Sequence, residues 1–205
     1  MPHDDRSSLI PLLDRARSGE ASARDELFAR CRNYVALIAQ TRVESWMHAK
    51  VDASDLVQQT LLEAFRGIED FRGETDAEWL AWLRKILAHN TNDFIRRYRT
   101  DKRAIGRERP LATTNPDQSR AAGIEPADPG KTPSQILADH ERDIQIADAI
   151  ARLADDHREV ILLRNMQRLP FDEIARRMDR TRPAVQMLWM RAIRKLEELL
   201  NQPRS

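Results

Sequence analysis

Between Asp101 and Pro133 the sequence carries five prolines (Pro110, Pro116, Pro126, Pro129, Pro133) and three glycines (Gly106, Gly123, Gly130), with few large apolar side chains. Such a stretch cannot bury enough surface to offset the entropy of ordering it. It therefore reads as a flexible linker that parts the 205 residues into two halves. On both sides apolar residues recur every three or four positions, and no two-residue alternation persists. The expected fold is all-α: a helical domain over 1–100, a linker over 101–133 and a second helical domain over 134–205. Helices are predicted near Leu9–Arg17, Ala21–Gln40, Ala53–Ile68 and Glu78–Arg99, with helical pattern again from Ser134 to Leu200. No internal repeat is visible.

The net charge of +1 names no partner, but the charges are unevenly placed. From Asp52 to Glu78 eight acids face two arginines, a net of −6; from Arg84 to Arg109 nine bases face three acids, a net of +6. Adjacent segments of opposite sign suggest two partners of opposite sign, and the basic one suits phosphates. Cys31 is the only cysteine, so neither an intramolecular disulfide nor a thiolate metal cluster is available, as expected in a reducing cytoplasm. No signal peptide is read at Met1-Pro2-His3-Asp4-Asp5, and no apolar run approaches the ~18 residues of a membrane helix. The five histidines (His3, His48, His89, His140, His157) are scattered, with no His-x-x-x-His pair and no Gly-rich phosphate loop. No cofactor, no metal and no catalysis are expected.

In the C-terminal half, Asp156 with Glu159 three residues on signals the start of a helix, Asp156–Met166. Pro170 suits a first helical position of the next segment, where Ile174 and Met178 share a face. Asp179-Arg180 breaks the pattern, and Thr181 can N-cap a second helix beginning Arg182-Pro183. Ala175 is small where two steeply crossed helices would touch, and Asp179 tolerates unusual backbone angles in the turn. The second helix would bury Val185, Leu188, Ala192 and Leu196 and expose Arg182, Gln186, Arg191, Arg194 and Lys195. Arg and Gln near a helix N-terminus suit a major groove. An ordinary amphipathic helix pair with a solvated basic face is the alternative.

In the N-terminal half, Asp52-Ala53-Ser54-Asp55 opens a helix with acids where the helix dipole favours them. Its acidic and amide-rich surface could dock on a protein or simply face solvent. Phe71–Ala77 reads as a loop. The helix after it runs from Trp79, Trp82, Leu83 and Ile86 to Phe94-Ile95-Arg96-Arg97-Tyr98-Arg99. Aromatics interleaved with bases suit single-stranded nucleic acid, although most of these apolar residues also read as core. Arg96, Arg97 and Arg99 are expected on phosphates.

Several segments carry a resemblance: Asp55-Leu56-Val57-Gln58-Gln59 with Phe65, Phe71-Arg72-Gly73-Glu74, Trp82-Leu83-Arg84-Lys85-Ile86 with Asn90, and Asp93 before Arg96-Arg97. Further along come Asp172-Glu173-Ile174-Ala175, Thr181 to Val185, and Arg191-Ala192 with Lys195-Leu196. In this order and at this distance they resemble regions two and four of the sigma-70 family of RNA polymerase sigma factors, in its extracytoplasmic-function (ECF) type. The resemblance covers roughly residues 20–100 and 140–200. It implies a factor that binds core RNA polymerase, directs it to promoters and helps melt DNA. Asp55, Leu56, Val57, Gln58, Gln59 and Phe65 would bind the polymerase clamp coiled coil. Phe71, Arg72, Gly73, Trp79, Trp82, Asn90, Arg96, Arg97 and Arg99 would serve the minus-ten element, with a non-template base flipped into the loop. Thr181, Arg182, Pro183, Gln186, Arg191 and Arg194 would serve the minus-thirty-five element. An anti-sigma factor would be a further partner, and no membrane insertion is implied.

The sequence departs from the family pattern at Gln59, where an acid is common, at Asp179, where glycine is usual, and at Gln186, where lysine often stands. Met187-Leu188-Trp189-Met190 is unusually apolar and could serve the core or an inhibitory protein. Two other readings compete: a stand-alone helix-turn-helix regulator that binds duplex DNA without polymerase, and a helical adaptor.

Overall fold

A computed structural model describes residues 8–42, 53–105 and 133–202, with side chains at 8–41, 53–97 and 142–202. Their regular structure is all helical, with no strand among the described residues. The order is α1 (Ile10–Arg17), α2 (Ala21–Arg42), α3 (Ala53–Gly67), α4 (Asp76–Ile105), α5 (Pro133–Ala151), α6 (Asp155–Ile161), a π-helical turn (Leu162–Met166), α7 (Phe171–Arg177) and α8 (Arg182–Leu200).

Helix α4 begins two residues before the expected Glu78 and runs past Arg99. Its start is a reciprocal cap: the Thr75 hydroxyl accepts from the Glu78 amide at 3.2 Å, and Glu78 Oε2 accepts from the Thr75 amide at 3.1 Å. Its far end follows from the absence of any proline or glycine between Glu74 and Ile105; Gly106 is the first breaker. The first five residues assigned to the linker are thus helical, and residues 106–132 lie outside the described part.

The N-terminal core forms where α1 and α2 pack together and α3 and α4 close over them. Leu13, Leu27, Ile68, Leu80, Leu83 and Leu87 are fully buried there, around Trp79. The Trp79 indole donates to the Cys31 sulfur at 3.2 Å. Buried Asp76 accepts from the Leu9 amide at 3.0 Å and so ties the start of α1 to the start of α4. Helix α5 lies on α2 and α4, and Asn33 Nδ2 donates to Asp148 Oδ1 at 3.0 Å across that contact.

In the C-terminal half the single expected helix Asp156–Met166 is divided. Helix α6 starts at Asp155, with Ala154 as N-cap and no side-chain cap. Asp156 sits in the first turn and pairs with Arg180 instead of capping. The backbone then widens into the π-helical turn, closed by the Gln167 amide on the Leu162 carbonyl at 2.9 Å. Pro170 is the extended N-cap of α7, one position before the helix in which it was expected. Arg158 donates to the Ala151 and Leu153 carbonyls, each at 2.9 Å, which satisfies the open end of α5.

Candidate nucleic-acid interface

Three surfaces gather the residues singled out from the sequence. The first is the outer face of α3. Asp55, Gln58 and Gln59 are exposed, and Gln59 Nε2 donates to Glu63 Oε1 at 2.8 Å. Leu56 and Val57 turn inward, 4% and 6% exposed, because the residues at i and i+4 (Leu56, Thr60, Ala64) form the stripe α3 buries against its neighbours. Both were expected to touch a partner; in this structure they pack inward, and Val57 also lines the groove described below. Phe65 is 40% exposed and lies at 5.7 Å from the Phe28 ring, under the guanidinium of Arg24 at 4.9 Å. Beside it Leu62, unremarked in the sequence, is also exposed. A groove of about 640 Å³ between α2 and α3 runs along this face, bordered by Phe28, Ala36, Val57, Leu61, Leu62 and Phe65.

The second surface is the loop from Phe71 to Thr75 and the α4 face behind it. Phe71 folds under the loop, 8% exposed, with ring centroids 5.2 Å from Trp79 and 5.1 Å from Trp82. Trp79, expected at DNA, is wholly buried and is the floor on which the loop rests. Trp82 is half-buried and Arg72 exposed. Gly73 is required by close approach, since a Cβ there would stand 2.3 Å from Phe71 Cζ. Asn90, expected at DNA, is buried at 8% exposure, and its Nδ2 donates to Thr60 Oγ1 at 3.3 Å, joining α4 to α3. Arg96 and Arg97 are exposed, Arg96 pairing with Asp93 at 3.1 Å. The Arg99 side chain lies outside the described residues.

Two features of this loop escaped the sequence reading. Arg17 of α1 donates from Nη2 to the Phe71 carbonyl at 2.6 Å and to the Gly73 carbonyl at 2.8 Å, with its guanidinium over the Phe71 ring. The Glu78 carboxylate accepts from the Glu74 amide at 2.8 Å and from Thr75, which holds its pKa below the usual carboxylate value. The capping pattern Thr75-x-x-Glu78 was legible; Arg17 had no local signal, because its partners are more than fifty positions away.

The third surface is α7–turn–α8. Ala175 is buried at the crossing, and its carbonyl accepts from the Arg180 amide at 2.9 Å. Asp179 takes the left-handed backbone, φ 49°, that the turn requires. Thr181 caps α8, its hydroxyl accepting from the Ala184 amide at 3.4 Å. Val185 and Ala192 are buried; Leu188 and Trp189 turn partly inward, Trp189 donating to Asn165 Oδ1 at 2.9 Å and meeting Phe171 edge-on at 5.8 Å. Outward stand Arg182, Pro183, Arg191 and Arg194, with Gln186 half-exposed. Arg182 reaches Asp172 at 3.4 Å.

The family described as Sigma-70 region 2 matches residues 27–100, and the one described as Sigma-70, region 4 matches residues 143–196. The ECF RNA polymerase sigma-E factor of Haemophilus influenzae is 27% identical over 172 residues, 82% of this chain and 82% of that protein. The ECF RNA polymerase sigma factor BldN of Streptomyces coelicolor is 28% identical over 196 residues, 96% of this chain and 67% of that protein. Among solved structures, a chain of the RsbN–BldN complex is 24% identical, with 91% of this chain and 98% of that chain covered and a TM-score of 0.33.

A helical domain matched as region two, followed by a helix-turn-helix matched as region four, defines a promoter-directing sigma factor, and the chain belongs to the sigma-70 family. The relatives named above are of that family's ECF type.

Proposed function

We propose that the chain docks on the clamp of core RNA polymerase through α3, receives a flipped non-template base of the minus-ten element at Phe71–Thr75, and reads the minus-thirty-five duplex with α8. The observation that carries the reading is the loop itself. A short coil is held in place at the head of a long helix by Arg17 on one side and by the Thr75–Glu78 cap on the other. Flipping a base costs a few kcal/mol, which a preformed receptor recovers without ordering itself first. The exposed bases Arg96 and Arg97 lie farther along the same helix and suit the strand's phosphates.

For docking, the groove beside α3 offers an apolar seat (Leu62, Phe65) with Arg32, Gln40 and Gln58 in its lining, and Asp55 and Gln59 stand exposed on the same helix outside it. Gln58 and Gln59 bring amides rather than charge, so this contact relies on the apolar seat. The bond-forming chemistry belongs to the polymerase, and this chain contributes recognition and strand separation without catalysis, acting in the cytoplasm. Among the described residues no helix is long and apolar enough to cross a membrane. An anti-sigma factor that covers these surfaces is a fitting regulatory partner. Free chain binds promoter DNA poorly in this reading, because its recognition surfaces are small and its net charge is only +1.

The test is run-off transcription from genomic fragments with core polymerase in the presence and absence of the chain. Discrete new transcripts that require the chain are expected. Sequence-specific duplex binding by the chain alone, with no effect on polymerase, would favour the stand-alone regulator.

A further inference from the structure

Helix α8 presents an apolar ridge where a recognition helix ordinarily presents polar side chains. Pro183, Met187, Met190 and Arg194 follow one another at intervals of four, three and four, so they share one face. That face lies opposite buried Val185 and Ala192. Met187 is 49% exposed and Met190 52%, and both are large apolar side chains that stand at the surface among the described residues. The neighbouring Trp189 is accounted for by Asn165 and Phe171, so the methionines are not the overflow of the core.

What surrounds the ridge identifies what covers it. Exposed Arg191 lies one turn on from Met187, Arg194 one turn on from Met190, and neither makes an ion pair among the described residues. The apolar centre with unpaired cations beside it complements a surface that is anionic at its edges and apolar within. A duplex major groove has that character wherever thymine places its C5-methyl between the phosphate rails. Met187 stands five residues into α8, in the part of a recognition helix that meets base edges. An unbranched thioether side chain can reach a methyl group without demanding one hydrogen-bond geometry.

We propose that Met187 is a specificity-determining residue of the upstream promoter element, selecting thymine through contact with its C5-methyl group. The proposal rests on α8 reading duplex DNA as described above and adds which base is read and by what chemistry. Gln186 and Arg182 supply hydrogen bonds nearby, Arg191 and Arg194 meet the phosphates, and Met187 discriminates thymine from cytosine and from any pyrimidine without the methyl.

The experiment uses core RNA polymerase reconstituted with the full chain to select upstream elements from a randomised duplex library. Each thymine of the selected element is then replaced singly by deoxyuridine, which removes only the methyl. At one thymine the replacement is expected to weaken holoenzyme binding about fourfold, the effect of one buried methyl group. That difference should vanish in Met187→Ala and persist in Met187→Leu, which keeps an apolar side chain. Both variants alter an exposed residue, and unchanged thermal unfolding checks that they fold. If deoxyuridine is neutral at every position, or if Met187→Ala keeps the full thymine preference, the proposal is overturned while promoter reading by α8 stands. If no element is selected at all, the promoter-reading function falls and this inference with it.

Discussion

Arg17 donates a hydrogen bond to the Gly73 carbonyl across 56 positions of sequence, at 2.8 Å, and the same nitrogen reaches the Phe71 carbonyl. One guanidinium from the first helix thereby fixes the loop that is proposed to receive a flipped base. Charged donors on carbonyls contribute about 1.5–3 kcal/mol when partly buried. Arg17→Ala is expected to leave affinity for core polymerase unchanged and to lower open-complex formation about tenfold, a loss of ~1.4 kcal/mol. Permanganate reactivity of unpaired thymines in the melted promoter measures it.

The cap at the head of α4 makes a second prediction. Thr75→Ala removes the hydroxyl that accepts from the Glu78 amide and should destabilise the protein by about 1 kcal/mol, read from urea unfolding. The Glu78 carboxyl is held low first by the Glu74 amide and then by Thr75. A lowered folded pKa stabilises above the unfolded value of 4.5, and the contribution is lost as pH falls through the lower folded value. Wild type should therefore lose more stability than Glu78→Gln between neutral pH and acid below 4.5, and equal losses would count against the cap.

Cys31 lies at the centre of the N-terminal core, and burial pushes its thiol up to about 12. Native protein at pH 8 should not react with a thiol reagent, and denatured protein should react fully. Because the folded pKa is raised, the neutral thiol's contribution to stability is complete below the ordinary value of 9 and declines as pH rises toward 12. Trp79→Ala removes the indole above this sulfur and should cost about 3–5 kcal/mol, measured by chemical denaturation.

In the helix-turn-helix, Asp179 adopts φ 49°, a backbone conformation glycine takes without strain. Asp179→Gly should leave stability unchanged or raise it by up to ~1 kcal/mol, and Asp179→Val should lower it by more than that, both by thermal unfolding.

Much of this architecture could be read in advance, and the limits have physical causes. The second helix of the helix-turn-helix was legible from Thr181, Pro183 and the spacing of Val185 and Ala192, because caps and periodicity are local. Trp79 shows where periodicity stops. An aromatic on an amphipathic helix beside arginines reads equally as a nucleic-acid platform or as core, and only the packing of Phe28, Phe71 and Cys31 around it decides for core. Leu56 and Val57 pose the same ambiguity: the motif that carries the family likeness combines an exposed polar edge with a buried stripe. Arg17 was illegible because its partners are backbone carbonyls of a distant loop, and carbonyls leave no trace in residue identity. The division of the α6 segment by a π-helical turn, which starts at Leu162, left no local signal either.

The central claim is that the outer face of α3 docks on core RNA polymerase. Leu56 is buried, so its substitution would confound docking with folding, whereas Asp55 and Leu62 are exposed. The most direct measurement is the affinity of core polymerase for wild type and for Asp55→Arg combined with Leu62→Glu, by titration of labelled chain. Tight wild-type binding, weakened at least tenfold in the double variant with unchanged thermal unfolding, is the predicted result. Absence of binding by folded wild type, or equal binding by both, would contradict it.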